Sequence, residues 1–393
     1  MMLGWGLRGF IGGGPLGAMI PGAMVTLAIC LVRGITPSAR ACAFGAIAIG
    51  FGGEMTYGQT VGAAVALETR AWGLLGLTVK GAVWGMLGGA VMSLGFARIT
   101  PKLMAQAGVL LSVSTWVGWK LINEPKLIYF SNRLDRPREE VWAGFLLAAL
   151  SLMVWLGPKQ PHLLRFALWG TLGGGLGFGL GGALQAYGIE YAGRHHPWWK
   201  GMEFTFGLLL GWALAMAARQ LPASDEPNPP PTPLWGQMAA AVFASLLLFG
   251  DLVTLPLRFG FLVLGTLVLW ILTLYPAAAW QVSLTVTIAA TVVDLAELRK
   301  GPHNIDHYGL AITAALLLSI AVVHVVRDAA SALLWLTWAT TAIATTKYIK
   351  QGSGPENIVG ISFILMAIAV TWMTVAGGTG IVPPQAELKL RAD

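Results

Sequence analysis

Trp5-Gly6-Leu7-Arg8-Gly9-Phe10-Ile11-Gly12-Gly13-Gly14-Pro15-Leu16-Gly17 opens the chain. Its pattern returns as Trp169-Gly170-Thr171-Leu172-Gly173-Gly174-Gly175-Leu176-Gly177-Phe178-Gly179-Leu180-Gly181. An acidic pentad follows each copy: Glu54-Met55-Thr56-Tyr57-Gly58 after the first and Glu203-Phe204-Thr205-Phe206-Gly207 after the second. Trp72-Gly73 and Trp235-Gly236 repeat at nearly the same shift. The pattern predicts two related halves, each with a glycine-rich segment and a carboxylate, and in a membrane protein it points to a site between the halves.

Composition places the chain in a bilayer. Hydrophobic residues make up 56% and charged residues 11% of the 393 residues, with a mean hydropathy of +0.69. Apolar runs near 9–32, 38–53, 71–97, 103–122, 141–157, 162–187, 198–218, 235–254, 257–275, 277–296, 308–326, 329–347 and 356–376 give about thirteen spans of the roughly 20 residues that a bilayer requires. The expected fold is an all-α polytopic transmembrane bundle, since lipid offers an open backbone no partner. The runs lack the polar–apolar alternation of barrel strands.

The expected organisation is a first transmembrane repeat over 1–157, a second over 158–300 and a C-terminal three-helix segment over 301–393. Five spans in each repeat would invert the second copy relative to the first, as in many secondary carriers. The proline-rich stretch from Leu221 to Pro233 reads as a solvent-side loop. The N-terminus lacks the basic segment, apolar core and cleavage site of a secretory signal, so the first span is expected to act as its own insertion signal. Cys30 and Cys42 lie in apolar runs and read as packing thiols. The net charge of +7 is spread over short loops. It reflects loop topology and implies no nucleic-acid partner. Lys126, Arg133, Arg136 and Arg138 favour a cytoplasmic 121–140 loop, whereas Arg33, Arg40, Arg98 and Lys102 pull the other way.

Ionisable groups within spans are the functional candidates. Lys80 lies mid-span, and Glu54 and Glu203 are its expected partners. Glu54 follows Gly52-Gly53 and precedes Thr56, Tyr57, Gln59 and Thr60, a polar run that predicts an unwound or re-entrant segment. Gly12-Gly13-Gly14-Pro15 is a poor continuous helix, and Gly173-Gly174-Gly175 is similarly soft, so both predict broken helices with free backbone ligands. Arg8 is either a boundary charge or a fork for an anionic group near one mouth of the site. The expected substrate-binding set is therefore Arg8, Gly13, Glu54, Tyr57, Gln59, Lys80, Gly174 and Glu203. These readings have bland counterparts: glycines four apart also pack helices, and a Lys–Glu pair also locks them.

Asp251, Asp294 and Glu297 lie at or near span ends. Glu190-x-x-x-Arg194-His195-His196-Pro197-Trp198-Trp199-Lys200 and His303-Asn304-Ile305-Asp306-His307 are polar loop clusters without a complete metal motif. The sequence has no phosphate loop, dinucleotide fingerprint or nucleophile elbow, which argues against an ATP-driven pump and a serine hydrolase. No catalytic residue, metal site or cofactor is assigned.

Met1 to Ala23 and Phe51-Gly52-Gly53-Glu54-Met55-Thr56-Tyr57-Gly58-Gln59-Thr60-Val61-Gly62 resemble a family of uncharacterised bacterial multi-pass membrane proteins. The resemblance implies a bacterial inner-membrane location and no activity. The five-plus-five arrangement with soft first helices is similar, in architecture alone, to the leucine-transporter fold. The leading expectation is a secondary transporter of a small polar or anionic solute, coupled to a proton or Na⁺. A membrane-embedded transferase acting on a lipid-linked substrate and a structural subunit of a larger membrane complex are the alternatives. The expected partners are the bilayer, the solute, and a second copy or a complex subunit.

Overall fold

The computed structural model describes residues 1–9, 14–33, 39–97, 99–131, 138–221, 259–279, 329–351 and 354–378, with scattered residues within 235–247, 282–288 and 309–318. All regular structure among them is helical. In chain order the helices are α1 (Met2–Leu7), α2 (Gly14–Arg33), α3 (Ala39–Gly52), α4 (Gly58–Val65), α5 (Arg70–Leu94), α6 (Pro101–Gly118), α7 (Trp142–Leu156), α8 (Pro161–Ala192), α9 (Trp198–Ala218), α10 (Gly260–Leu274), α11 (Ala329–Gln351) and α12 (Gly354–Gly378). Among the described residues, five segments are long and apolar enough to cross a membrane: Gly14–Arg33, Leu67–Leu94, Pro161–Ala192, Trp198–Ala218 and Gly354–Met373. Arg40–Gly52, Trp142–Leu156 and Gly260–Leu274 are shorter apolar helices.

Local signals set several ends. Pro101 and Pro161 occupy first-turn positions, where the missing N–H leaves no intrahelical bond unmade. Thr100 Oγ1 accepts from Leu103 N at 3.3 Å and caps α6. Gly193, with φ of 79°, ends α8 in a conformation that a side chain would strain.

Glycine faces bring the central helices together. At the crossing of α5 and α8, a Cβ on Gly85 would lie 1.9 Å from the Gly170 carbonyl oxygen, and one on Gly81 would lie 2.2 Å from that of Gly174. The backbones therefore touch in a way only glycine allows. Opposite this face, Leu168, Leu172, Leu176, Leu180 and Leu184 of α8 are exposed at a four-residue spacing, as a lipid-facing stripe should be.

The soft second glycine segment is corrected here. Gly173, Gly174 and Gly175 lie inside the uninterrupted α8 and are buried. Gly174 is a packing residue against Gly81, with no freed backbone to offer a ligand. The first copy does lose continuity. Helix α1 ends at Leu7, Arg8 and Gly9 turn, and α2 starts at Gly14 with φ of 48°. Gly12 and Gly13 lie outside the described residues, as do Asp251, Asp294, Glu297, His303, Asp306, His307 and nearly all of the Leu221–Pro233 stretch. Cys30 and Cys42 are buried, and neither forms a disulfide.

Candidate functional site

The first acidic pentad is the centre of the site. After Gly52 the chain leaves the helix. The amides of Gly53, Glu54 and Met55 bond back to Gly50, Phe51 and Gly52 at 2.8, 3.1 and 3.0 Å, a tightened last turn. A Cβ on Gly53 would lie 2.5 Å from Pro15 Cα and 2.6 Å from Gly14 O. The unwound stretch between α3 and α4 thus lies directly on the start of α2, and the two helix interruptions meet inside the bundle.

Each residue of the unwound stretch engages a different part of the protein. The Glu54 carboxylate accepts from the amides of Phe261 and Leu262 at 3.1 and 3.3 Å, so it caps the first turn of α10 from a distance. The Thr56 carbonyl accepts from Lys80 Nζ at 2.6 Å, and its hydroxyl donates to Glu139 O at 3.0 Å. The Tyr57 hydroxyl accepts from Arg8 Nη1.

Lys80 does not pair with Glu54 or Glu203. Its ammonium meets Glu140 Oε1 at 2.6 Å, with both side chains 1% exposed. It also donates to Thr60 Oγ1 at 2.7 Å. Glu140 is completed by Ser131 Oγ at 2.7 Å and Phe130 N at 3.2 Å. Three donors on the ammonium thus find three acceptors, which is what makes a buried pair tolerable. Glu140 lies outside both repeated pentads, so the repeat does not single it out. The available signal was Glu139-Glu140 lying directly before the apolar run from Val141.

Glu203 belongs to a separate node at the start of α9. It pairs with Lys200 Nζ at 2.5 Å, one helical turn away, and accepts from Trp199 Nε1 at 2.9 Å. Lys200 also donates to Gly6 O at 2.8 Å, in the last turn of α1. Lys200, at the end of the polar Glu190–Lys200 cluster, is buried and ties α9 to α1.

Arg8 is not near a mouth. It is 6% exposed, deep among aromatic rings. Its guanidinium lies 5.5 Å from the Trp5 ring, 5.2 Å from Tyr57 and 5.5 Å from Trp84. It also donates to Gly14 O at 3.2 Å. The rings continue as one cluster: Trp5 to Trp84 at 5.0 Å, Trp5 to Phe206 at 4.4 Å, Tyr57 to Phe178 at 5.1 Å, and Phe178 stacked on Phe206 at 3.8 Å. Both glycine segments and both pentads therefore contribute a ring to one interior cluster.

Gln59 is not part of it. Its Oε1 accepts from Arg138 N at 3.2 Å on the exposed side of α4. Glu190 pairs with Arg70, and His195 packs on His196 at 4.2 Å. Among the described residues no three of His, Cys, Asp and Glu converge to hold a metal ion. Compared with known protein families, curated proteins and solved structures, the chain matches none.

Proposed function

We propose that the protein is a secondary carrier for a small polar or anionic solute. In this reading about thirteen spans include two repeats of five, and the site lies where the repeats meet, in a bacterial inner membrane. A proton or Na⁺ gradient drives it. The observation that carries the reading is the meeting of two helix interruptions, at Arg8–Gly14 and Gly53–Tyr57, in an interior holding Arg8, Lys80, Glu140, Lys200 and Glu203. Charged groups at membrane depth are costly and mark solute or ion routes. Interrupted helices at that depth are tolerated where they face protein or a cavity, and their backbone groups become ligands.

The substrate set in this reading is revised to Arg8, Tyr57, Lys200 and Glu203. Lys80 and Glu140 hold the pentad from behind, and Glu54 fixes it to α10. The test is uptake into proteoliposomes, with a panel of labelled small anions under an imposed pH or Na⁺ gradient. Uptake of at least one anion should appear with the wild-type chain and vanish with Arg8→Gln, while the variant stays monodisperse in detergent. Wild-type uptake by Arg8→Gln and Glu203→Gln alike would refute this placement of the site, and no uptake across the panel would refute the carrier.

A further inference from the structure

Three donors around Arg8 have no acceptor. Arg8 carries five N–H bonds; one Nη1 hydrogen goes to Tyr57 and one Nη2 hydrogen to Gly14 O. Its Nε is buried without a partner, and so is Trp5 Nε1 on the ring beside it. The Tyr57 hydroxyl accepts from Arg8, so its own proton is left to donate, and no acceptor for it occurs among the described residues. Tyr57 and Arg8 are both more than nine-tenths buried, and Trp5 is wholly so.

Charge points the same way. Among the described residues Arg8 makes no ion pair. The carboxylates of this region are directed elsewhere: Glu203 to Lys200, Glu140 to Lys80, and Glu54 to the α10 amides. A buried guanidinium facing three rings keeps part of its charge stabilised by their π faces, but rings accept no conventional hydrogen bond from its edge. Among the described residues around Arg8 the unfilled groups are donors, and the charge without an ion pair is positive.

We propose that Arg8, Trp5 and Tyr57 form a binding site for one small monovalent anion, taken up as acceptor by Arg8 Nε, Trp5 Nε1 and the Tyr57 hydroxyl. Trp5 packs against Trp84 and Phe206 at ring separations of 5.0 and 4.4 Å, so the fitting class is a compact anion such as a halide, nitrate or short carboxylate. The inference deepens the carrier reading and rests on it for the anion's role as cargo, but binding itself can be read without transport.

The experiment uses the full chain in phosphatidylcholine nanodiscs at constant ionic strength, with gluconate as the bulk anion. Thermal unfolding and tryptophan fluorescence are followed as chloride, nitrate or acetate replaces gluconate. Wild-type protein should show a saturable shift with at least one of the three. Its midpoint should rise at least tenfold in Arg8→Lys, which keeps the charge but loses Nε and the fork. It should rise several-fold in Trp5→Phe, which keeps an aromatic ring but loses the N–H with the pyrrole part of the indole, and in Tyr57→Phe, which removes only the hydroxyl. A response to acetate alone marks a carboxylate site, and a response to chloride alone marks a halide site. No saturable shift, or a midpoint unchanged in all three variants, would overturn the proposal. Arg8-dependent binding without flux would refute the carrier and leave the anion site standing. Flux insensitive to Trp5→Phe, with no measurable binding, would do the reverse.

Discussion

The two acidic pentads share a pattern and take opposite structures. Glu54–Gly58 lies outside any helix until its last residue, whereas Glu203–Gly207 lies within α9. Flanking residues explain the difference. Gly52-Gly53 before the first pentad costs helix backbone entropy, and Thr56 within it adds a β-branched polar side chain of low helix propensity. The second pentad starts six residues after Pro197, already inside α9, and Leu208-Leu209-Leu210 carry the helix on. The carboxylates follow suit: Glu54 reaches a helix distant in sequence, and Glu203 bonds its own turn. A repeated motif thus fixes what chemistry is available, and its neighbours decide whether that chemistry links distant elements.

Breaking the support of the unwound pentad should have the largest effect. Lys80→Ala leaves Glu140 buried and unpaired, and should cost about 3–5 kcal/mol, read as a fall in unfolding temperature in detergent. Replacing both partners by Lys80→Met with Glu140→Leu should recover most of that loss. If the double variant is no more stable than the single ones, the pair contributes more than mutual neutralisation. Next comes the glycine crossing between α5 and the second motif copy on α8. Gly85→Ala drives a Cβ into the Gly170 carbonyl and should cost roughly 1–3 kcal/mol, measured the same way. The pentads themselves can then be compared directly. Glu203→Gln leaves Lys200 facing a neutral amide in the interior and should cost about 1–3 kcal/mol. Glu54→Gln weakens only a remote cap and should cost about 1 kcal/mol. An equal or reversed order in thermal unfolding would contradict the assigned roles. Gln59→Ala, on the exposed side of α4, should stay within about 0.5 kcal/mol of wild type.

Much of the helical layout was legible because apolar length is a strong signal: α3, α5, α7, α9 and α10 fall close to the apolar runs that predict them. The unwound stretch was legible too, from Gly52-Gly53 followed by Thr56 and Tyr57. Gly173-Gly174-Gly175 misled because propensity measured in water undervalues two things. In lipid an open backbone has no partner, so helices persist through glycine, and the bare face of α8 is filled by α5. The partner of Lys80 was illegible for a different reason. Glu140 lies sixty residues further on, and spacing along a chain says nothing about which of several carboxylates folds back to a given ammonium. The burial of Arg8 followed from Gly9, Gly17 and Gly53 allowing close approach, which only the assembled helices reveal.

The tyrosines of α8 locate the pair by depth. Tyr187 and Tyr191 stack on each other just past the leucine stripe, and Arg70 lies over Tyr187, an aromatic and cationic pairing of the kind enriched at headgroup level. Lys80 is ten residues further along α5, or about 15 Å at 1.5 Å per residue, half of a roughly 30 Å hydrocarbon layer. Glu140, in hydrogen-bond contact with it, must sit at the same level, and it belongs to an irregular segment. Glu140 therefore carries the non-helical chain just ahead of α7 to the level of the middle of α5, within hydrogen-bond reach of Lys80.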